Sequence, residues 1–182
     1  MRLDPLSLFD YETRAKQILP HNTWDFIAGG AKDSVTTRRN REALEAITIR
    51  PQFLRDVTQR DLSTSVLGQN ISFPVMISPA GGHGFAHPDG ELATAKAAGD
   101  SGTVMGLSTS STHSIEDVAR VATGPLWFQL YHCGEDMTTM LIRRAENAGF
   151  AAVCLTVDTP LASPKECDLR NDFQRPPHVQ LG

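Results

Sequence analysis

The 182-residue sequence lacks the marks of a specialised environment. Its three cysteines, Cys133, Cys154 and Cys167, are odd in number and irregularly spaced. That argues against a disulfide framework, gives no short-spaced pair for a zinc site, and fits a reducing compartment. No apolar run approaches the ~20 residues that span a bilayer, so no membrane partner is expected. The opening stretch MRLDPLSLFDYE carries Asp4, Asp10 and Glu12 where a signal peptide needs an apolar core, and the expectation is a cytoplasmic chain. A cationic excess is also missing. Lys and Arg total 17 against 21 Asp and Glu, a net charge of −4, so nucleic acid is not expected as a partner. Arg38, Arg39 and Arg41 do cluster, but Asp33, Glu42 and Glu45 share their segment, which reads as a solvated face. No Gly-x-Gly-x-x-Gly follows any apolar run, which weighs against a dinucleotide-binding doubly wound fold.

What is present is a hydrophobic fraction of 40%, ordinary for a globular core. The first part reads as helical. Residues 7–19 set Leu8, Tyr11, Ala15, Ile18 and Leu19 near one face, and Pro20 stops the run. A short helix follows with Trp24, Phe26 and Ile27, ended by Gly29-Gly30. Asp33 is a candidate cap for a third helix running to about Ala46. Residues 62–73 read as a hairpin turning at Gly68-Gln69-Asn70.

From Pro74 the pattern changes to four apolar runs, Pro74–Ala80, Thr103–Ser108, Leu126–Tyr131 and Ala151–Asp158. The first three are followed by helical segments, Glu91–Ser101, Ser114–Ala122 and Glu135–Ala148. Ser114-x-x-Asp117 resembles a capping box, and Gly149 suits the position after a helix end. Near-continuous apolar strands alternating with helices predict a parallel sheet covered by helices. A (β/α)₈ barrel takes about 250 residues and eight strands, and the count here is four. The predicted class is therefore α/β, the N-terminal half of such a barrel. Its parts are a helical segment over 1–61, the hairpin over 62–73, strands and helices over 74–158, and a loop or tail over 159–182.

In a barrel the chemistry sits at the C-terminal ends of the strands. Strand alternation groups Trp127, Gln129 and Tyr131 against Phe128 and Leu130, and Cys154, Thr156 and Asp158 against Val153, Leu155 and Val157. The aliphatic sets are expected beneath the outer helices, which leaves Gln129, Tyr131, Thr156 and Asp158 at the barrel mouth. Such groups need partners. A ligand with a polar heterocyclic edge would supply them, and so would water or neighbouring strands. Small residues in Ser78-Pro79-Ala80-Gly81-Gly82-His83-Gly84 permit close approach of a flat ligand to backbone, or form an ordinary loop. His83 and His87 are four apart, but Gly84 and Pro88 oppose the helix that would aim both at a metal, so no metal is expected. His132 reads as a loop residue.

Four blocks then agree in order: Asp25-Phe26-Ile27-Ala28-Gly29-Gly30-Ala31, Pro79-Ala80-Gly81-Gly82-His83-Gly84-Phe85-Ala86-His87-Pro88, Phe128-Gln129-Leu130-Tyr131 and Leu155-Thr156-Val157-Asp158-Thr159-Pro160. Together they resemble the FMN-dependent 2-hydroxy-acid oxidases and dehydrogenases, among them glycolate oxidase, lactate oxidase and the mandelate-oxidizing enzymes. The His-Gly-Phe-Ala-His stretch is most like lactate oxidase. The resemblance implies an FMN cofactor and oxidation of a small 2-hydroxy acid to the 2-oxo acid by hydride transfer to flavin, in a complete barrel that forms a homo-oligomer. It implies backbone contacts to flavin from Pro79, Ala80 and Gly81, and hydrogen bonds to its ring from Ser108, Gln129 and Thr156. It gives Tyr131 a catalytic and substrate-binding place, and Asp158 the support of a catalytic histidine.

Departures from the family pattern fall on the substrate side. Phe26 stands where the family commonly has a tyrosine that binds the substrate carboxylate. Lys165 stands where an arginine contacts substrate, and an ammonium does not copy that planar two-pronged bond. Ser110 replaces a bulkier residue. The family's histidine base, its carboxylate-fixing arginine, a lysine near the flavin and the phosphate-binding loops come from later strands and have no counterpart here. His178, in a Pro-Pro-His stretch, lies too early to be the base. The alternatives are a catalytically inactive truncated homologue and a half-barrel that assembles with a second chain.

Overall fold

Residues 74–158 build four parallel strands because each of the first three apolar runs is followed by a helix that returns the chain to the same end of the sheet. The computed structural model of the chain describes residues 5–159, 164–177 and 179–182. Pro160 of the fourth motif block and His178 lie outside the described residues. Two compact units are distinguished: Met1–Thr58 with Leu161–Arg175, and Gln59–Pro160 with Pro176–Gly182.

The first unit contains α1 (Leu8–Ile18), α2 (His21–Ala28) and α3 (Val35–Glu45). A capping box between Ser7 and Asp10 opens α1. The backbone N–H groups of Leu6 and Ser7 donate to the Asp10 carboxylate and hold its pKa below the usual carboxylate value. Ser34, in the left-handed region at φ 55°, stands at the head of α3 in place of the expected Asp33. The apolar residues Leu8, Tyr11 and Ile18 of α1 remain exposed rather than buried. Arg41 pairs with Glu45 at 2.6 Å on the exposed face of α3, in keeping with a solvated surface.

The second unit starts with a hairpin of β1 (Thr64–Val66) and β2 (Gln69–Ile71). Its turn is Leu67-Gly68, not Gly68-Gln69-Asn70, because Val66 pairs directly with Gln69. Leu67 (φ 48°) and Gly68 (φ 76°) both have positive φ, as a two-residue type I′ turn demands. The four-stranded sheet follows, with β3 (Ile77–Ala80), β4 (Met105–Ser108), β5 (Leu126–Leu130) and β6 (Ala152–Leu155) parallel and in sequence order. Between them lie α4 (Gly90–Asp100), α5 (Ile115–Val121) and α6 (Glu135–Asn147), with a 3₁₀ turn at His83–Phe85.

One face of the sheet supplies the core. Met105, Leu107, Leu126, Phe128 and Leu130 are buried with Ala95 and Ala98 of α4, Ile115 and Val118 of α5, and Leu141 and Ala145 of α6. Phe128 meets Phe150 edge to face, with centroids 6.1 Å apart. The expectation that every aliphatic strand face lies under helices fails at β6. Val153 and Leu155, paired with Phe128 and Leu130, are exposed, Leu155 by 57%, as is Val157 beyond the strand. Among the described residues β6 is an edge with no helix over its outer face. The expected loop over 159–182 also needs correction, since it contains α7 (Glu166–Arg170), packed on α2 within the first unit. Among the described residues no helix is long and apolar enough to cross a membrane.

Helix ends are sealed by glycine. After α6, Gly149 (φ 84°) donates to Glu146 O and Phe150 N–H reaches Ala145 O, the Schellman pattern. Gly102 (φ 68°) closes α4 in the same way, through Gly99 O and, from Thr103, Ala98 O. Open space surrounds the position of a Cβ on Gly149, whereas one on Gly102 would run into the Ser72 side chain. Gly149→Ala is therefore expected to cost only the conformational term, about 1 kcal/mol, and Gly102→Ala distinctly more, as read from urea unfolding midpoints.

Candidate functional site

In the second unit, the C-terminal ends of β4, β5 and β6 carry a continuous row of polar groups. Register places Ser108 beside Gln129 and Gln129 beside Cys154, so these side chains share the face opposite the aliphatic core. Ser108 and Gln129 are both only 6% exposed. A carboxamide buried to that degree must be bonded, and it is bonded on both sides. Gln129 Oε1 accepts from Ser108 Oγ at 3.0 Å and from Thr109 N–H at 3.1 Å. Gln129 Nε2 donates to Thr156 Oγ1 at 2.7 Å. Only an oxygen can accept from the Thr109 amide, so that bond fixes which end of the carboxamide faces which way.

The bonds have a direction. Ser110 N–H donates to Ser108 Oγ, whose proton goes to Gln129. Gln129 then donates to Thr156, whose own proton is left to point onward. Valence arithmetic leaves one Gln129 N–H and the Thr156 O–H beyond these bonds. Thr109 adds a second tie: its Oγ1 donates to Gln129 O at 2.6 Å and accepts from Tyr131 N–H at 3.1 Å. Sequence reasoning missed Thr109 because it lies one residue past the apolar run, where a loop threonine carries no distinctive pattern.

At the neighbouring strand end, Pro79, Ala80 and Gly81 are exposed. Pro79 sits in the edge strand, where a missing N–H is tolerated, and the β3–β4 register shifts between Ile77 and Ala80. A Cβ on Gly106 would lie 2.8 Å from Pro79 Cδ, so the glycine admits the proline ring. Tyr131 and Asp158 follow β5 and β6 and are exposed. Thus Pro79, Ala80, Gly81, Ser108, Gln129, Tyr131, Thr156 and Asp158 all lie at one end of one sheet.

Phe26 and Lys165 belong to the first unit, where they meet each other. Lys165 Nζ donates to Phe26 O at 2.8 Å and lies 4.8 Å from the Phe26 ring centroid. Phe26 stacks on Phe173 at 4.4 Å with planes 5° apart. Asn171 donates to Asp25 at 2.7 Å, tying the segment after α7 to α2.

A second polar cluster escaped sequence reading altogether. Glu91, in the first turn of α4, is 0% exposed. Its Oε1 accepts from His83 N–H at 3.1 Å and Thr112 N–H at 3.0 Å. Its Oε2 accepts from Thr112 Oγ1 and lies 2.9 Å from His113 Nδ1. Burial pushes the carboxyl pKa up, but the bonds from His113 and Thr112 outweigh it and bring the value down to about 2. His83 Nδ1 lies 3.1 Å from Thr94 Oγ1 and His132 Nδ1 3.2 Å from Thr138 Oγ1. Among the described residues no group of three His, Cys, Asp or Glu could hold a metal ion.

The chain is similar to known proteins. Residues 15–182 match the family model described as FMN-dependent dehydrogenase. Glycolate oxidase 3 of Oryza sativa subsp. indica is 49% identical over 173 residues, covering 94% of this chain and 47% of that protein. Glycolate oxidase of Spinacia oleracea is 46% identical over 173 residues, again covering 94% and 47%. A soluble mutant of the membrane-associated (S)-mandelate dehydrogenase from Pseudomonas putida superposes with a TM-score of 0.93 at 36% identity, covering 98% of this chain and 51% of that one. The chain spans about half the length of the relatives it matches, and its fold corresponds to the N-terminal half of their barrels.

The Glu91 geometry carries a pH signature. A carboxyl whose native pKa of about 2 lies below its ordinary value of 4.5 contributes stability that is complete above 4.5 and lost as pH falls through 2. The melting-temperature advantage of wild type over Glu91→Gln is expected to hold from pH 7 to 5 and to shrink between pH 4.5 and 2. Thermal unfolding followed by circular dichroism checks it.

Proposed function

The chain belongs to the FMN-dependent dehydrogenase family, and we propose that it supplies the ring-facing half of an FMN-dependent oxidoreductase that converts a small 2-hydroxy acid to the 2-oxo acid. The observation that carries this reading is the row Ser108–Gln129–Thr156 across three adjacent strand ends, with two donors left over. A flat heterocycle with acceptor atoms along one edge fits that row. The exposed backbone of Pro79, Ala80 and Gly81 offers a contact surface beside it. In this reading Gln129 and Thr156 hold the ring edge, and Ser108 acts through Gln129.

The chemistry supplied by bound FMN is acceptance of hydride from the substrate's α-carbon. The protein's own residues position and manage protons. Tyr131 reaches the substrate hydroxyl or carboxylate, and Asp158 stabilises a histidine base as it takes on the substrate's hydroxyl proton. Phe26 lacks the phenolic donor that would grip a carboxylate, so Lys165 is left as the cationic partner on that side. Its compact ammonium attracts a carboxylate without enforcing two-pronged geometry. The proposed setting is the cytoplasm, supported by free Cys133, Cys154 and Cys167.

A second reading has its own support: the half-barrel closes against another chain, either a second copy or a complementary half. Strands β3 and β6 are edges, Val153 and Leu155 are exposed on β6, and Trp127 Nε1 is buried without a partner among the described residues.

Titration of the 182-residue chain with FMN, followed by quenching of flavin fluorescence, tests the first reading. Gln129→Leu is expected to weaken binding at least about tenfold, the scale of one lost hydrogen bond with its partner stranded. Equal affinity in wild type and variant would refute it. Analytical ultracentrifugation tests the second-copy form of the second reading, which requires a concentration-dependent dimer.

A further inference from the structure

We propose that Glu91 is a positioning residue, a buried carboxylate that locks together the loops after β3 and β4 and so holds in place, for the cofactor, the exposed backbone at Ala80–Gly81 and the Ser108 end of the polar row. The inference rests on the flavin reading above for its purpose, and on geometry alone for the lock itself.

The two loops are far apart in sequence. One runs from Gly81 to Asp89 and leads into α4, and the other from Thr109 to His113 and leads into α5. Loops normally face water and satisfy their amides there. Here they converge on a side chain with no solvent contact. Oε1 takes one amide from each loop, His83 and Thr112, and Oε2 takes the Thr112 hydroxyl and the His113 ring. Two carboxylate oxygens offer about four acceptor positions, and all four are used. Thr112 extends the lock, since its Oγ1 also accepts from Gly84 N–H at 3.0 Å. A direct strut runs alongside, Gly82 N–H to Ser110 O at 3.1 Å. The loops then lie so close that a Cβ on Gly81 would come within 2.8 Å of Ser110 Cβ.

The loops leave the sheet at the residues that the flavin reading uses. Gly81 and Gly82 follow Ala80 directly, and Ser110 N–H donates to Ser108 Oγ, the first bond of the polar row. Slack in either loop therefore passes straight to the ligand-facing backbone. An ionised carboxylate suits this work better than a neutral amide, because all four partners can donate and its bonds to them are charge-assisted. Its lowered pKa keeps that form throughout the physiological range.

Thr112 gives the test that is gentlest on folding. Thr112→Val keeps the shape and removes the bridging hydroxyl, and Thr112→Ser restores the hydroxyl. Both are compared with wild type and Glu91→Ala in the full chain, by amide hydrogen exchange and by FMN fluorescence quenching. Thr112→Val is expected to speed Gly84 amide exchange at least about tenfold, the effect of one lost hydrogen bond. Melting temperature should fall modestly, because a buried carboxylate loses one donor, and Phe128 exchange should speed by no more than that global loss and less than at Gly84. FMN affinity should fall about as much as Gly84 protection, and Thr112→Ser should recover both losses. Glu91→Ala should also release the His83 and Thr112 amides. Unchanged Gly84 exchange in Thr112→Val, or no recovery in Thr112→Ser, overturns the lock. Loosened loops with undiminished FMN affinity overturn its positioning role. If the wild-type chain quenches no FMN fluorescence, the flavin reading fails on its own account, and exchange alone then decides whether Glu91 ties the loops.

Discussion

The flavin reading of this chain depends on one side-chain amide bonded across three strand ends. Gln129 lies at the end of β5, between β4 and β6, and its carboxamide spans both gaps. Parallel strands leave their C-terminal ends as a ledge where the ladder stops and polar groups must find other partners. Most side chains at such a ledge would turn to water. Gln129 is held instead between a hydroxyl and an amide on one side and a hydroxyl on the other, and Thr109 braces its backbone. The helices matter to the site indirectly. By packing Leu107, Phe128 and Leu130 on one face, they commit Ser108 and Gln129 to the other.

The sheet could be read from sequence because its signal is local. Near-continuous apolar runs give β4 and β5, and the same alternation that buries Phe128 and Leu130 turns Gln129 to the opposite face. Ser114 was legible as a cap, and it accepts from Asp117 N–H as a first-turn pattern implies. Where reading failed, the deciding interaction was remote. The hairpin turns at Leu67 although Gly68-Gln69-Asn70 has the better turn composition, because strand pairing sets the register and carries Leu67 to positive φ. The five residues of α7 are too few for a periodicity, and they owe their place to α2. Glu91 looks like any acidic residue in a first helical turn, favoured by the helix dipole. Only the folding of Thr112 and His113 over it makes it a buried anion.

The second unit holds the row of donors and the small-residue strand end, where a ring system would lie. The first pairs Lys165 with Phe26, so its ammonium already has one bond to backbone and a π-face beneath it. Departures from the family pattern, Phe26 and Lys165, therefore sit together in one packed cluster of the first unit, and a change at either alters the support of the other.

The direction of the bonds through Gln129 has a consequence of its own. Because the Thr109 amide pins the carboxamide oxygen inward, the ledge offers outward protons and no outward lone pair from that group. A guest is thus sorted by the sign of its rim. A flat guest meeting the ledge at this carboxamide would have to offer it an acceptor, while the Thr156 hydroxyl, with a rotatable proton and a remaining lone pair, can take either role.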